Sequence, residues 1–402
     1  MNKSEEFVFN LCQKTFLSLW SYPSPKGKSA GKELCDLLVV CEPDVIIFSV
    51  KEIGFKKTGN VSLDWSRWLK KAIDESCKQI YGAEKWVRKA TCVITKDGKE
   101  GLPFPTNNIM RVHRVAVALG GEGQTPIYFG DFGKGFIHVF DETTLQIVMR
   151  ELDTISDFVK YLTDKENLYH SGGYTLFTTG REEDLLAYYL HHGRVFSDNT
   201  VIVVKDGIWD EFSMRREYLA KKAADEVSYS WDELIEIIGN DLQDGKLLAE
   251  DFETTASLTD AELAIRTMAK ENRFNRRMLG KAFLEFLELT MQKKIEARLV
   301  PSLSPVTYVF LALPYEDRKY RVAVLAQRCF VARGLHPEHK TVIGIATEPY
   351  NPGGGYSLDA FYFYQENWSD EDQQELDKIK REFGHFKNMS YSYRHEDEYP
   401  QT

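Results

Sequence analysis

The residue types best suited to chemistry lie close together in this chain. Glu33 and Asp36 lead into one apolar run, and Ser49 and Lys51 end the next. Carboxylates are preferred ligands of hard divalent cations such as Mg²⁺ or Mn²⁺, which keep several waters and need only one or two acidic side chains. A cation so held polarises a phosphoryl oxygen and acidifies a bound water. A nearby lysine can orient the attacking water and offset charge as it develops. Along an extended strand, Ser49 and Lys51 stand at i and i+2 and share a face. Glu33, Asp36 and Lys51 converging on one point would therefore suit hydrolysis of a phosphate ester, with Ser49 beside them. The bland alternative is a turn with charged edges, in which Lys51 guards a strand edge.

Such a site needs two neighbouring strands and a helix to back them. The apolar runs 34–41 and 45–49 are separated by Glu42-Pro43-Asp44, a hairpin signal. Apolar spacing predicts a helix over 5–20 and a long amphipathic helix over 62–87. The stretch YPSPKGKSAG between the first helix and the hairpin reads as a break, from its two prolines and two glycines. Strands are expected at 91–95, 111–118 and 135–141. Helices are expected at 155–162, 182–190, 214–224, 231–242, 260–269 and 275–294, with one strand at 200–205. Toward the C-terminus, strands at 307–313, 341–347 and 357–364 alternate with helices at 318–333 and 370–383, the last capped by Ser369. The expected organisation is α/β and multidomain: a mixed sheet flanked by helices over 1–150, a mainly helical region over 151–297, and a small α+β domain over 298–402.

The segment GKELCDLLVV…DVIIFSVKE, set in the order helix, two strands, helix, strand, resembles the core of the PD-(D/E)xK, or restriction-endonuclease-like, nuclease superfamily. The likeness covers roughly the first 95 residues. It implies a metal-dependent nuclease hydrolysing DNA, with Glu33 and Asp36 holding Mg²⁺ or Mn²⁺ and Lys51 assisting the water. Ser49 stands where the family has its second acidic residue, and Glu33, just before Asp36, is expected to substitute for it. Glu52 has the wrong strand parity, and Glu42 and Asp44 lie at the far end of the hairpin. In several branches of the superfamily the following helix carries a shaping glutamine, a role Gln79 would fill. Arg67, Lys70, Lys71 and Lys78 would meet a phosphate backbone, although such clusters are more often a solvated helix face. The resemblance also suggests bacterial phage defence or repair, with DNA as partner and a homo-oligomer or a defence-system protein as further partners.

The remaining composition narrows the alternatives. The chain has 402 residues, 13% of them aromatic, which argues against extensive disorder. No apolar run reaches membrane-spanning length, and MNKSEEFVFN lacks the form of a signal peptide. Six scattered cysteines form no CxxC pair, so a reducing cytoplasm is expected. A net charge of −10 weighs against a surface that tracks nucleic acid throughout, but not against one local basic groove. The glycine-rich stretches 119–135 and 350–356 carry no phosphate-loop lysine or dinucleotide fingerprint. Two rival classes stay open: a catalytically inactive binding or scaffold protein on the same fold, and a phosphoesterase acting on a small nucleotide.

Overall fold

The computed structural model describes residues 2–27, 31–121, 127–172, 175–196, 201–243, 258–314, 318–354, 356–387, 389–392 and 395–400. The chain is mixed α/β with several separate sheets. It divides into two compact units, Met1–Leu219 and Ala220–Thr402. The boundaries read from the sequence at 150 and 297 do not coincide with this division, which falls inside helix Arg216–Asp225.

The first unit begins with α1 (Lys3–Phe16), started by a capping box in which Asn2 accepts from the Glu5 backbone N–H. Strand β1 (Ser21–Pro23) follows in the stretch read as a simple break and pairs antiparallel with β2 (Leu37–Cys41). The expected hairpin forms: β3 (Asp44–Glu52) pairs antiparallel with β2, with Leu38 opposite Ile47 and Val40 opposite Val45. The helix expected over 62–87 is interrupted. It consists of α2 (Val61–Leu69), a π turn at Lys70–Asp74, and α3 (Glu75–Val87). A small hairpin, β4 (Cys92–Ile94) and β5 (Glu100–Pro103), precedes β6 (Arg111–Leu119). Then come β7 (Phe129–Asp131) and β8 (Phe136–Phe140). Both β6 against β3 and β8 against β6 run parallel, completing a sheet of order β1-β2-β3-β6-β8-β7.

Strand β3 is buried along nearly its whole length because both faces of the sheet are covered. Leu38, Val40, Val45 and Ile47 pack with Trp68, Ala72, Ile73, Cys77, Ile80 and Ala83 of the π-interrupted helix. Phe48, of opposite parity, faces Phe16 of α1, their ring centroids 6.4 Å apart. The two-residue period thus assigns Ser49 and Lys51 to the α3 face together with Val45 and Ile47. Beyond β3, Ile53 is held by its N–H to the Leu119 carbonyl, 3.0 Å, while its own carbonyl accepts from the Trp68 indole. Gly120 sits against that carbonyl with φ +89°, and a Cβ there would come within 2.6 Å of it.

The rest of the unit contains α4 (Glu142–Glu151), α5 (Ile155–Ser171), β9 (Thr175–Thr178), α6 (Glu182–His191), β10 (Val201–Val204) and α7 (Ile208–Ser213), with β9 and β10 parallel. Thr200 and residues 122–126 of the glycine-rich stretch lie outside the described residues. Lys165 of α5 is fully buried and ion-paired with Glu182 of α6, which also accepts from the Tyr161 hydroxyl at 2.7 Å. Helix α8 (Arg216–Asp225) spans the division, and the second unit continues with α9 (Tyr229–Gln243), α10 (Leu258–Ala269), α11 (Arg273–Met291), β11 (Ala297–Pro301), β12 (Val306–Ala312), α12 (Arg318–Leu335), β13 (Thr341–Thr347), β14 (Asp359–Tyr364) and α13 (Asp370–Phe383). Its four-stranded sheet has the order β11-β12-β13-β14, with α12 linking the parallel pair β12 and β13. Ser369 caps α13 as expected, accepting from the Asp372 N–H. Gly355, in the second glycine-rich stretch, lies outside the described residues. Among the described residues, no helix is long and apolar enough to cross a membrane.

At the far end of β3, Asp44 accepts from Arg111 at 2.9 and 2.7 Å and lies 3.0 Å from His113 Nε2. Burial raises the Asp44 carboxyl, but the hydrogen bonds from His113 and Arg111 outweigh it and hold the group below its ordinary value. A carboxyl depressed on folding stabilises the protein above its unfolded pKa, near 4, and that contribution fades as pH falls through the lower folded value. Asp44→Asn should therefore reduce stability at neutral pH and flatten the acid limb of a stability–pH curve measured by urea unfolding. An acid limb unchanged by the substitution contradicts this assignment.

Candidate active site at the end of the central hairpin

Asp36 immediately precedes β2, in line with the register that places Leu37 opposite Phe48, and so stands across from Ser49. Its carboxylate is 6% exposed and would be costly to bury unpaired. Partners from two elements meet it. Oδ2 accepts from the Val50 backbone N–H at 2.5 Å and lies 3.7 Å from Lys51 Nζ. Oδ1 accepts from Gln79 Nε2 at 3.2 Å. The Gln79 carbonyl oxygen in turn accepts from the Ser49 hydroxyl at 2.7 Å and from Lys51 Nζ at 2.8 Å. Asp36, Ser49, Lys51 and Gln79 thus form one closed hydrogen-bonded cluster, drawn from the start of β2, the end of β3 and α3.

Burial grades across this cluster. Ser49 is fully buried, whereas the Lys51 side chain is 27% exposed, so its ammonium stands at the solvent edge of an otherwise enclosed group. Gln79 is half-buried. Although a helical glutamine is more often solvated, this one bridges an anion and a cation through the two ends of its amide. The amide is pre-oriented by that pairing: its N–H faces the carboxylate and its carbonyl faces the ammonium.

Glu33 stands apart from the cluster's hydrogen bonds. It is exposed, and its backbone makes an isolated antiparallel bridge with Lys26. Desolvation raises its carboxyl above the ordinary value; the Ser24 hydroxyl opposes this, and the negative charge of Asp36 adds to it. The two carboxylates therefore sense each other without sharing a hydrogen bond. Glu52 accepts from the Ser4 hydroxyl of α1, on the opposite face from Lys51. Among the described residues, no group of three or more His, Cys, Asp or Glu side chains is arranged to hold a metal ion.

The basic residues Arg67, Lys70, Lys71 and Lys78 are all exposed, but they do not form one stripe. In an uninterrupted α-helix, Arg67 and Lys78 would lie within about 20° of each other around the axis. The π turn at Lys70–Asp74 adds one residue to the winding and offsets the two halves by about 100°. Lys78 instead borders a groove with Lys85 and Lys134, two residues that sequence reasoning passed over. The seven-residue spacing of Lys78 and Lys85 was the available signal; Lys134, in the β7–β8 turn, had none.

Cysteine chemistry has no place here. Burial pushes the Cys35 thiol well above its ordinary value and Cys77 up to about 12, which keeps both protonated and unreactive. His138 is fully buried, and neither ring nitrogen has a hydrogen-bond partner among the described residues. Burial holds its pKa well below the ordinary value, so it packs as a neutral ring against Phe136. Comparison of the chain with protein-family models, with curated proteins and with solved structures finds no match in any of the three.

The cluster's geometry separates the roles of Asp36. Asp36→Ala removes the acceptor of the buried Val50 N–H and the partner of Lys51, and should destabilise the first unit by about 1–3 kcal/mol. Asp36→Asn keeps an acceptor in place and should retain most of that stability. Urea midpoints followed by tryptophan fluorescence distinguish the two; an Ala variant as stable as the wild type contradicts the described pairing.

Proposed function

We propose that the first unit is a metal-dependent nuclease of the PD-(D/E)xK type that hydrolyses phosphodiester bonds of DNA. One observation carries the reading: Asp36, Ser49, Lys51 and Gln79, far apart in sequence, meet in a single cluster whose lysine reaches solvent. The carboxylate is enclosed and hydrogen-bonded on its protein side, while the ammonium keeps a face open to solvent. The setting supports the same reading, since α1, three antiparallel strands, a crossover helix and a parallel strand carry the cluster.

Asp36 and Glu33 would hold a hard divalent cation, because desolvation and the charge of Asp36 raise the Glu33 carboxyl and a bound cation relieves that repulsion. When bound, Mg²⁺ or Mn²⁺ would supply charge at the scissile phosphate and acidify a coordinated water. The chain's own residues do the rest. Lys51, anchored by Gln79 and Asp36, presents its remaining donor capacity outward to hold the attacking water or a phosphate oxygen. Gln79 fixes the ammonium's position, and Ser49 fixes the rotamer of Gln79 from below. Ser49 supplies no charge, so the acidic role of the usual second position passes to Glu33. That same feature favours the second reading, a binding protein that keeps the fold without hydrolysis. A bacterial defence or repair role is an association with the fold type alone.

Cleavage of plasmid, linear duplex and single-stranded oligonucleotides, with Mg²⁺ or Mn²⁺ and with EDTA, tests the proposal. Wild-type protein should cut only with metal, and Asp36→Asn and Lys51→Ala should each lower the rate by roughly 10²-fold or more. Nucleic-acid binding without cleavage under any metal selects the binding-protein reading. Equal cleavage by all three proteins removes the site.

A further inference from the structure

The outer surface of α3 carries a feature that the hydrolytic cluster does not use. A groove of about 500 Å³ runs between α3 and the β7–β8 turn, lined by Asp74, Cys77, Lys78, Tyr81, Gly82, Lys85, Phe132, Gly133 and Lys134. Three lysines against one aspartate give it a positive balance in a chain whose net charge is −10. Aromatic rings interleave with the lysines. Tyr81 and Phe132 line the groove, and Tyr128, 36% exposed, packs on Phe132 with centroids 5.5 Å apart.

The groove wall is held in place rather than incidental. Asp131 accepts from the N–H groups of Gly133 and Gly135 at 2.6 and 3.0 Å, fixing the turn that carries Phe132 and Lys134. The Tyr81 hydroxyl donates to the Gly135 carbonyl at 2.7 Å and ties that turn to α3. Gly82 lies inside α3, where glycine costs about 1 kcal/mol relative to alanine. Among the described residues, nothing lies within 4 Å of where its Cβ would be, so neither packing nor a left-handed backbone calls for glycine there. What its missing side chain does is leave the groove open between Lys78 and Lys85.

Lysines set along a track with aromatic faces between them are the chemistry of single-stranded nucleic-acid binding: cations follow the phosphates and rings stack on unpaired bases. From Asp74 to Lys85 the helix rises about 16 Å, enough for about five stacked nucleotides. A duplex offers no unstacked base to Tyr81 or Phe132. We infer that the groove between α3 and the β7–β8 turn binds single-stranded nucleic acid, so that an unpaired strand is the substrate class of the Gln79 cluster carried by the same helix. The inference rests on the nuclease reading for its purpose, while the binding itself stands independently of hydrolysis.

The test uses the full chain in EDTA, where no metal-dependent cleavage occurs, with fluorescein-labelled 20-mers of oligo-dT and oligo-U and a 20-base-pair duplex, read by anisotropy. Wild-type protein should bind both single strands at least tenfold more tightly than the duplex. Gly82→Glu places a carboxylate in the groove and should weaken single-strand binding at least tenfold, with a melting temperature equal to or above wild type because a helical glycine has been replaced. Lys78→Glu should act in the same direction and lower the salt dependence of binding. Duplex binding as tight as single-strand binding, or Gly82→Glu binding like wild type, overturns the inference. Single-strand binding that meets these expectations in a protein that never cleaves leaves the groove standing and removes only the nuclease reading.

Discussion

A nearly buried carboxylate, Asp36, sets the terms for the first unit. An anion removed from water must be met by donors and cations of good geometry or it costs several kcal/mol. Its donors here are a backbone N–H of β3, a lysine two residues from Ser49 on the same face, and a glutamine from the crossover helix. Each of these depends on a different part of the fold being right. A slip of one residue between β2 and β3 would turn Ser49 and Lys51 toward α1 and leave Asp36 facing apolar side chains. The π turn before α3 is equally part of the arrangement, because a residue added to the winding changes which side chains of the following helix face the sheet. Satisfying Asp36 and assembling the cluster are therefore one constraint.

Much of this arrangement is legible in the amino-acid sequence. The alternation of DVIIFSVKE assigns Ser49 and Lys51 to one face, and the Glu42-Pro43 turn sets the hairpin. Face parity correctly separates Glu52 from Lys51, because a period of two is a purely local property. Gln79 is harder. Its helix is recognisable, but whether a half-buried amide meets Lys51, 28 residues away, depends on tertiary packing, which periodicity does not report. The π turn leaves no trace either, since KKAID is an unremarkable helical sequence, and it sets Arg67 and Lys78, both expected to meet a phosphate backbone, on different sides of the helix. Strands such as β1 and β7, three residues each, are held by backbone pairing to longer neighbours, and β5 pairs with three-residue β4; all carry too few side chains to show an alternation. The division into two units passes through a continuous helix, where no proline, glycine or polar linker marks it.

The electrostatics follow the same division between buried pairing and open surface. Asp44 and Glu84 are saturated by Arg111 with His113 and by Arg88 with Arg114, and Glu182 meets Lys165 and Tyr161 through one oxygen, all inside the first unit. The second unit has its own saturated networks, in which fully buried Arg321 meets Asp359 and Glu348, and Arg276 meets Asp232. The Asp36 cluster shares with the Asp44 and Asp359 pairs a partly exposed cation on a buried carboxylate, and has beside it a second carboxylate, Glu33, raised by desolvation and by the Asp36 charge. An acidic chain can still present a local basic groove, and the lysines of α3 and the β7–β8 turn do so on the helix that carries Gln79.

Whether Asp36 and Glu33 act together on a cation is the point on which the account turns. Calorimetric titration of Mn²⁺ into the wild-type chain, Asp36→Asn and Glu33→Gln addresses it directly. The account predicts one saturable site in the wild type that is lost in Asp36→Asn and weakened in Glu33→Gln. Identical Mn²⁺ isotherms for the three proteins, all folded, would contradict it.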